Sequence, residues 1–350
     1  MEQTRDQIFL IENPLLDISI EAKDNALLEK YELQAGLASL ASEKQLPMYD
    51  EIWNMEGRMA IPGGSALNSA RATNFMLKNQ GVEGKVTYFG SVGKDERGDS
   101  LTQNLVNDGM NANMHVQEDT PTGTCAVIVV DKDRTLCANL AAACKYSTAH
   151  LEANMAQLDK AKIIYTTSFF ITSNVEALMK VANYANDKSI PMGFNLSAVF
   201  LLQFELNNVL PCLEYADYIF ANEDEAAEFG KTQGMEGADL KDIAKVIAKW
   251  AKKSATPRTV IVTYGAKPVI VAINTPGSDD VSVTEYPLAE LTKEQIVDTN
   301  GAGDAFVGGF LSQLYQDKDI KTCIEAGIYL SREVVQRSGC MFPEKLEWSA

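Results

Sequence analysis

The stretch Ile296-Val-Asp-Thr-Asn-Gly-Ala-Gly-Asp-Ala-Phe-Val-Gly-Gly-Phe310 constrains this chain more than any other part of it. An apolar lead-in ending at Val297 gives way to a polar turn carrying Gly301 and Gly303, and then Ala305, Phe306, Phe310 and Leu311 recur at helical spacing. A loop running into a helix N-terminus is predicted. Such a terminus carries unpaired backbone N–H groups and about half a positive charge, and two glycines let an anion approach the backbone of Gly301, Ala302 and Gly303 with no Cβ in the way. Asp304 falls in the first turn, where the dipole favours its ionised form and where it faces whatever those N–H groups hold. Read alone, this G-x-G-D fits a helix cap as well as it fits a proton acceptor.

Composition narrows the class. With 350 residues, 46% of them hydrophobic and 23% charged, the chain can bury a full core and hold one large domain with a smaller one. A net charge of −17 repels nucleic acid and anionic membrane, and no basic block with interleaved aromatics offsets it. Six cysteines without a C-x-x-C pair and only two histidines, His115 and His150, suggest neither a zinc site nor a disulfide framework. Neither a signal peptide nor a run of ~20 apolar residues is seen, so a cytoplasmic protein with reduced thiols is expected.

In chain order, the apolar run Ile8 to Ile11 reads as a strand buried on both faces that ends at Asn13-Pro14, with Asp17 just beyond. Ligands of open α/β sheets bind at the carboxyl ends of strands, which places Asp17 either as a hydroxyl-binding group or as a turn former. Residues 18–61 mix short alternating pieces with helices near 25–31 and 43–54, an excursion from the main sheet. Gly63 and Gly64 then open a helix and would let a planar ligand lie on the backbone, with Asn68 one turn inside. Val86 to Phe89 is a strand. The following Gly90-Ser-Val-Gly-Lys-Asp95 lacks the spacing and the hydroxyl of a P-loop.

Residues 98–108 read as a helix, and the alternating strands of 113–143 pair with the earlier excursion as a small β-rich lid, with Arg134 at its hairpin. From Lys162 onward strands at 163–166, 192–196, 218–221 and 260–263 alternate with helices, the rhythm of a parallel sheet covered on both faces. The strand ends then present Phe169 and Phe170, Ser197 and Phe200, Asn222 and Glu225, and Thr263 and Gly265. A last helix is predicted over 320–335.

Asp298-Thr-Asn-Gly-Ala-Gly-Asp-Ala-Phe306 resembles the C-terminal signature of the ribokinase-like (PfkB) sugar and nucleoside kinases. Gly63-Gly64-Ser65 with Asn68 resembles their di-glycine motif and Asn222-Glu-Asp-Glu225 their N-x-x-E motif, so the resemblance spans nearly the whole chain. Within the family, Asn13-Pro-Leu-Leu-Asp17, Pro121-Thr-Gly-Thr-Cys125, Ala138-Asn-Leu-Ala-Ala142 and Gly339-Cys-Met-Phe-Pro-Glu344 resemble the members that phosphorylate adenosine.

The resemblance implies a three-layer α/β/α domain with a mostly parallel sheet, formed by 1–15, 64–112 and 144–350, and a small α/β lid formed by 16–63 and 113–143. It implies phosphoryl transfer from ATP to adenosine, giving AMP and ADP. Asp304 is then the catalytic base, the Gly301, Ala302 and Gly303 amides hold the moving phosphoryl, and Arg134 swings onto phosphates. Asn13, Leu15, Asp17, Gly63, Gly64, Ser65, Asn68, Cys125, Leu136, Leu140, Phe170, Asn195, Phe200 and Asn300 would bind the nucleoside. Asn222, Thr263, Gly265, Asp298 and Ile328 would bind ATP, and Glu225 would stand near Mg2+ through water. Tyr264 and Ile328 depart from the residue types expected beside the ATP adenine. A monomer is expected, with a sugar kinase of the same fold or an inactive nucleoside-binding protein as the alternatives.

Overall fold

A computed structural model describes residues 5–130, 133–278 and 280–348; the expected hairpin turn at Asp131 and Lys132 and the chain's first residues, 1–4, lie outside the described residues. Fourteen strands are formed among the described residues: β1 (Gln7–Ile11), β2 (Leu15–Glu21), β3 (Ala38–Leu40), β4 (Met59–Gly63), β5 (Val86–Gly93), β6 (Asn111–Gln117) and β7 (Thr124–Val130) in the first part of the chain. They continue as β8 (Asp133–Asn139), β9 (Ala161–Thr167), β10 (Met192–Asn195), β11 (Tyr218–Asn222), β12 (Arg258–Tyr264), β13 (Lys267–Asn274) and β14 (Val281–Tyr286).

The apolar run Ile8 to Ile11 in β1 explains the layering. Ile8 and Leu10 enter one apolar core while Phe9 and Ile11 enter another, because successive side chains of a strand point to opposite faces. β1 is accordingly interior to a nine-stranded sheet ordered β14-β13-β12-β11-β10-β9-β1-β5-β6, parallel from β12 to β6. The first core takes residues from the Ser65–Asn79, Ala302–Tyr315 and Ile320–Val334 helices, and the second from Ile171–Asp187, Leu206–Leu213, Glu223–Thr232 and Leu240–Lys249. This is the ribokinase-like, three-layer architecture with a parallel-rich sheet. The antiparallel β13 and β14 extend the sheet at one edge, an addition the strand-then-helix rhythm does not announce.

A second sheet, ordered β3-β8-β7-β2-β4, forms the small unit. Residues 113–117, expected in the lid, lie in β6 and pair with β5 at the edge of the large sheet. An edge strand that is half exposed alternates in sequence as a lid strand does, so pattern alone could not assign it. The back of the small sheet, Leu16, Ile18, Ile20, Ala126 and Ile128, packs on Met48, Tyr49 and Ile52 of the Leu46–Trp53 helix and on Leu101 and Leu105 of the Glu96–Asn107 helix. Small sheet and large domain thus share one apolar cluster.

The P-loop-like 90–95 segment has a structural task. Asp95 caps the Glu96–Asn107 helix through the Gly98 N–H at 2.8 Å, and accepts from the Thr122 N–H at 2.7 Å and its hydroxyl at 2.6 Å. It thereby pins the Pro121-Thr-Gly turn from which β7 departs.

Candidate active site

The glycine turn is bare on one side and filled on the other. Gly301 sits in the left-handed region at φ +75°, and a Cβ on it would lie 2.7 Å from the Cys340 Cβ, so glycine is required there both conformationally and sterically. A Cβ on Gly303 would meet nothing within 4 Å, which leaves that side open to a ligand. The Ala302–Tyr315 helix begins here without a side-chain cap; the Ala302 N–H, expected on the moving phosphoryl, bonds the Thr299 carbonyl at 3.3 Å and must leave it to serve a ligand.

Asp304 Oδ1 accepts from the Ser65 hydroxyl at 2.7 Å and Oδ2 from the Asn68 amide at 3.0 Å. Ser65 and Asn68, expected to touch the nucleoside, therefore hold the carboxylate. Burial pushes Asp304 up to about 6, with Ser65 and Asn68 pulling it down. The helix dipole does not keep it at its ordinary value, because desolvation outweighs it.

The helices that carry these three residues meet at glycines. A Cβ on Gly308 would stand 2.2 Å from the Ala72 Cβ, and one on Gly309 would stand 2.5 Å from the Ala326 carbonyl. Close backbone contact of the 65–79, 302–315 and 320–334 helices is what brings Ser65 and Asn68 onto Asp304.

On the front of the small sheet, Asp17 is in register with Cys125, Cys125 with Ala138, and Val127 with Leu136, so Leu15, Asp17, Cys125 and Leu136 share one face. Leu140 lies just past β8, before the 3-10 turn Ala141–Cys144. Gly63 is bare because a Cβ would fall 2.3 to 2.5 Å from the Asp17 carboxyl atoms, and Gly64, at φ +99°, because its Cβ would lie 2.6 Å from the Asn13 carbonyl. Burial pushes Asp17 up to about 7, against the pull of Arg71 and Arg134. Asn13 donates to the Phe169 carbonyl at 3.0 Å and to the Thr172 hydroxyl at 3.3 Å, while its own amide oxygen is buried without a partner.

Two assignments shift by small distances. Phe170 is fully buried, edge-on to Tyr146 in the core, and cannot contact a ligand. Its neighbour Phe169 borders the cavity instead, with its ring 6.2 Å from that of the exposed Phe200. Arg134, expected on phosphates, pairs with the buried Asp298, expected on ATP. Asp298 also accepts from the Asn300 N–H at 2.9 Å and the Gly339 N–H at 2.8 Å, so the pair braces the glycine turn from behind. The pairing spans 164 residues, beyond the reach of any local pattern.

Before Asp304 opens a cavity of about 420 Å³ bordered by Ser65, Asn195, Asn222, Glu225, Asn300, Gly301 and Gly303, with no lysine or arginine among its lining residues. Asn222 and Glu225 form a reciprocal cap of the Glu223–Thr232 helix: the Glu225 N–H donates to the Asn222 amide oxygen at 2.8 Å, and the Asn222 N–H returns to the Glu225 carboxylate at 3.0 Å. Burial pushes Glu225 up to about 7, with the Asn222 N–H opposing and the Asp304 charge adding. Carboxylate and amide oxygens around an uncompensated cavity suit a hard cation held partly by water and phosphate, and so fit Mg2+.

Thr263, Thr299 and Phe306 also border a second, apolar cavity of about 270 Å³ lined by Tyr264, Gly265, Leu288, Leu291, Ile328 and Val335. Leu288 and Leu291 were not anticipated; their only signal is apolar residues in an otherwise polar connection.

The model of the pfkB family of carbohydrate kinases matches residues 43–346. Adenosine kinase 1 of Arabidopsis thaliana is 42% identical over 340 residues, covering 96% of both chains. The structure of Anopheles gambiae adenosine kinase in complex with P1,P4-di(adenosine-5) tetraphosphate is 40% identical, covers 98% of this chain and 99% of its own, and superposes with a TM-score of 0.85. Trypanosoma brucei brucei adenosine kinase, without ligand, is 33% identical, covers 95% of this chain and 99% of its own, and gives 0.88. A glycine turn bared toward ligand, a carboxylate in the helix turn behind it and agreement along nearly the whole length lead to one conclusion: the chain belongs to the pfkB family of carbohydrate kinases.

Proposed function

We propose that the chain is an adenosine kinase, transferring the γ-phosphoryl of ATP to the adenosine 5′-hydroxyl to give AMP and ADP. The observation that carries this reading is that Asp304 borders an oxygen-lined cavity sharing Thr263, Thr299 and Phe306 with the apolar slot beside Ile328, while its charge acts on the Asp17 carboxyl of the small sheet. The ribose hydroxyls bind Asp17 over the bare Gly63, and the Asn68 amide oxygen remains to accept from the sugar while its nitrogen holds Asp304. The purine lies along Leu15, Cys125, Leu136 and Leu140, toward Phe169 and Phe200. The ATP adenine occupies the apolar slot, and its phosphates pass Thr263 and Asn222 to reach the glycine turn.

Phosphoryl transfer needs alignment and charge stabilisation more than covalent help. The Gly301, Ala302 and Gly303 amides hold the transferring group, and Asp304 accepts the hydroxyl proton as bond formation completes. A carboxylate near 6 is a better base than one near 3.8, and at neutral pH it is still mostly ionised. Mg2+ bound with ATP supplies charge neutralisation, and Glu225 and Asn222 would hold it through water. The enzyme acts as a monomer in the cytoplasm; among the described residues no helix is long and apolar enough to cross a membrane. ADP release measured with adenosine, inosine, ribose and fructose tests the reading. Adenosine should be preferred over both sugars by orders of magnitude; a preference for ribose or fructose would make the chain a sugar kinase.

A further inference from the structure

The helix that orients Asp304 has no cap of its own. It begins at Gly64, which offers no side chain to its first-turn N–H groups. The acceptor arrives from the end of β1: the Ala66 N–H donates to Glu12 Oε2 at 2.5 Å, across 54 residues of sequence. Glu12 is only 2% exposed and stands immediately before Asn13-Pro14. Burial drives it up to about 8. A carboxyl is a costly way to fill a core position, and packing alone has no use for one. One helical turn carries both of its consequences, since Ala66 lies between Ser65 and Asn68, the two donors to Asp304.

We propose that Glu12 is a positioning residue for phosphoryl transfer: by accepting from Ala66 it fixes the first turn of the Ser65–Asn79 helix and, through Ser65 and Asn68, the orientation of Asp304. The proposal rests on the kinase reading given above. Glu12 touches neither nucleoside nor phosphate in this scheme, so its loss should appear in kcat more than in the KM for ATP.

The test compares Glu12→Met, which keeps the volume and removes the acceptor, with Glu12→Gln, whose amide oxygen can still accept from Ala66. Each is made alone and on an Asp304→Asn background, with turnover of adenosine and ATP measured per folded protein. Glu12→Met should lower kcat by about 10- to 100-fold, the scale of a slight misplacement of a reacting group. Glu12→Gln should recover to within about threefold of the parent, since a carboxyl near 8 is itself a mostly neutral acceptor at pH 7. On the Asp304→Asn background Glu12→Met should cost almost nothing further, because residues acting through one group are not additive.

Unchanged kcat in Glu12→Met overturns the proposal, and so does a Gln variant as slow as the Met variant or a full additional loss in the double variant. If Glu12→Met does not fold, Glu12→Ala takes its place under the same criteria. A parent chain that phosphorylates no nucleoside removes the kinase reading instead. Hydrogen exchange at the 65–68 amides then still decides the capping: faster exchange in Glu12→Met supports it, and unchanged exchange overturns it.

Discussion

Asp304 is held by two neutral donors and by nothing positive, which leaves it a usable base at the cost of a raised pKa. Asp304→Asn should lower single-turnover phosphorylation by about 10² to 10⁴ while calorimetric adenosine affinity stays near that of the parent. Loss of both affinities together with a lower melting temperature would make the residue a structural cap. A base must be unprotonated, so with Asp304 near 6 the rate should decline about tenfold per unit as pH falls below that value; a rate constant down to pH 5 would contradict the assignment. Asp304 is legible in sequence because glycine spacing and helical periodicity meet at it. Glu12 is not, because one acid after an apolar run reads as an ordinary strand end, and the Ala66 it serves is distant in the chain. The confusion of Phe170 with Phe169 is a matter of one residue: alternation places a pair at the strand end without saying which ring turns inward.

At the scale of elements, the site is a meeting of helices set by absent side chains. Gly308→Ala would drive a Cβ into Ala72 and the Thr73 amide, the latter at 2.8 Å, so the Ala302–Tyr315 and Ser65–Asn79 helices must separate. Overpacking of this kind costs roughly 1 to 3 kcal/mol. A lower denaturation midpoint accompanied by a fall in kcat is expected, because Ser65 and Asn68 retreat from Asp304; a loss of stability with kcat intact would show that the helices seat the base independently. The Arg134–Asp298 pair joins the small sheet to the glycine turn. Arg134→Ala leaves Asp298 buried without its counter-charge, held only by the Asn300 and Gly339 N–H groups, which costs about 3 kcal/mol, and it should raise the KM for ATP; unchanged stability and KM would mean that the pair braces nothing. The parallel rhythm and the small unit are readable from periodicity, whereas β13 and β14 follow β12 through a tight turn at Gly265 that the search for strand-helix alternation passes over.

Across the whole molecule, four carboxyls in and behind the site are all raised by burial: Glu12 to about 8, Asp17 and Glu225 to about 7 and Asp304 to about 6. In an unfolded chain these groups titrate near 4, so the folded protein binds more protons between those values. The stability they lend is complete below the unfolded pKa values and is lost as pH rises through the folded ones. His150 acts in the opposite sense, since burial and His115, its ring stacked 5.1 Å away, hold it below 6.5, so its effect ends as pH climbs past that point. Between about pH 6.5 and 8.5 only the acids remain, and a net charge of −17 adds self-repulsion in the same direction. The melting temperature of the ligand-free chain should therefore fall across this window, each fully titrating proton steepening the slope by about 1.4 kcal/mol per pH unit. Asp17→Asn and Glu225→Gln should each flatten the fall by removing one such proton. A midpoint that rises from pH 6.5 to 8.5, or a slope unmoved by either substitution, would show that these carboxyls are ionised and compensated within the ligand-free fold.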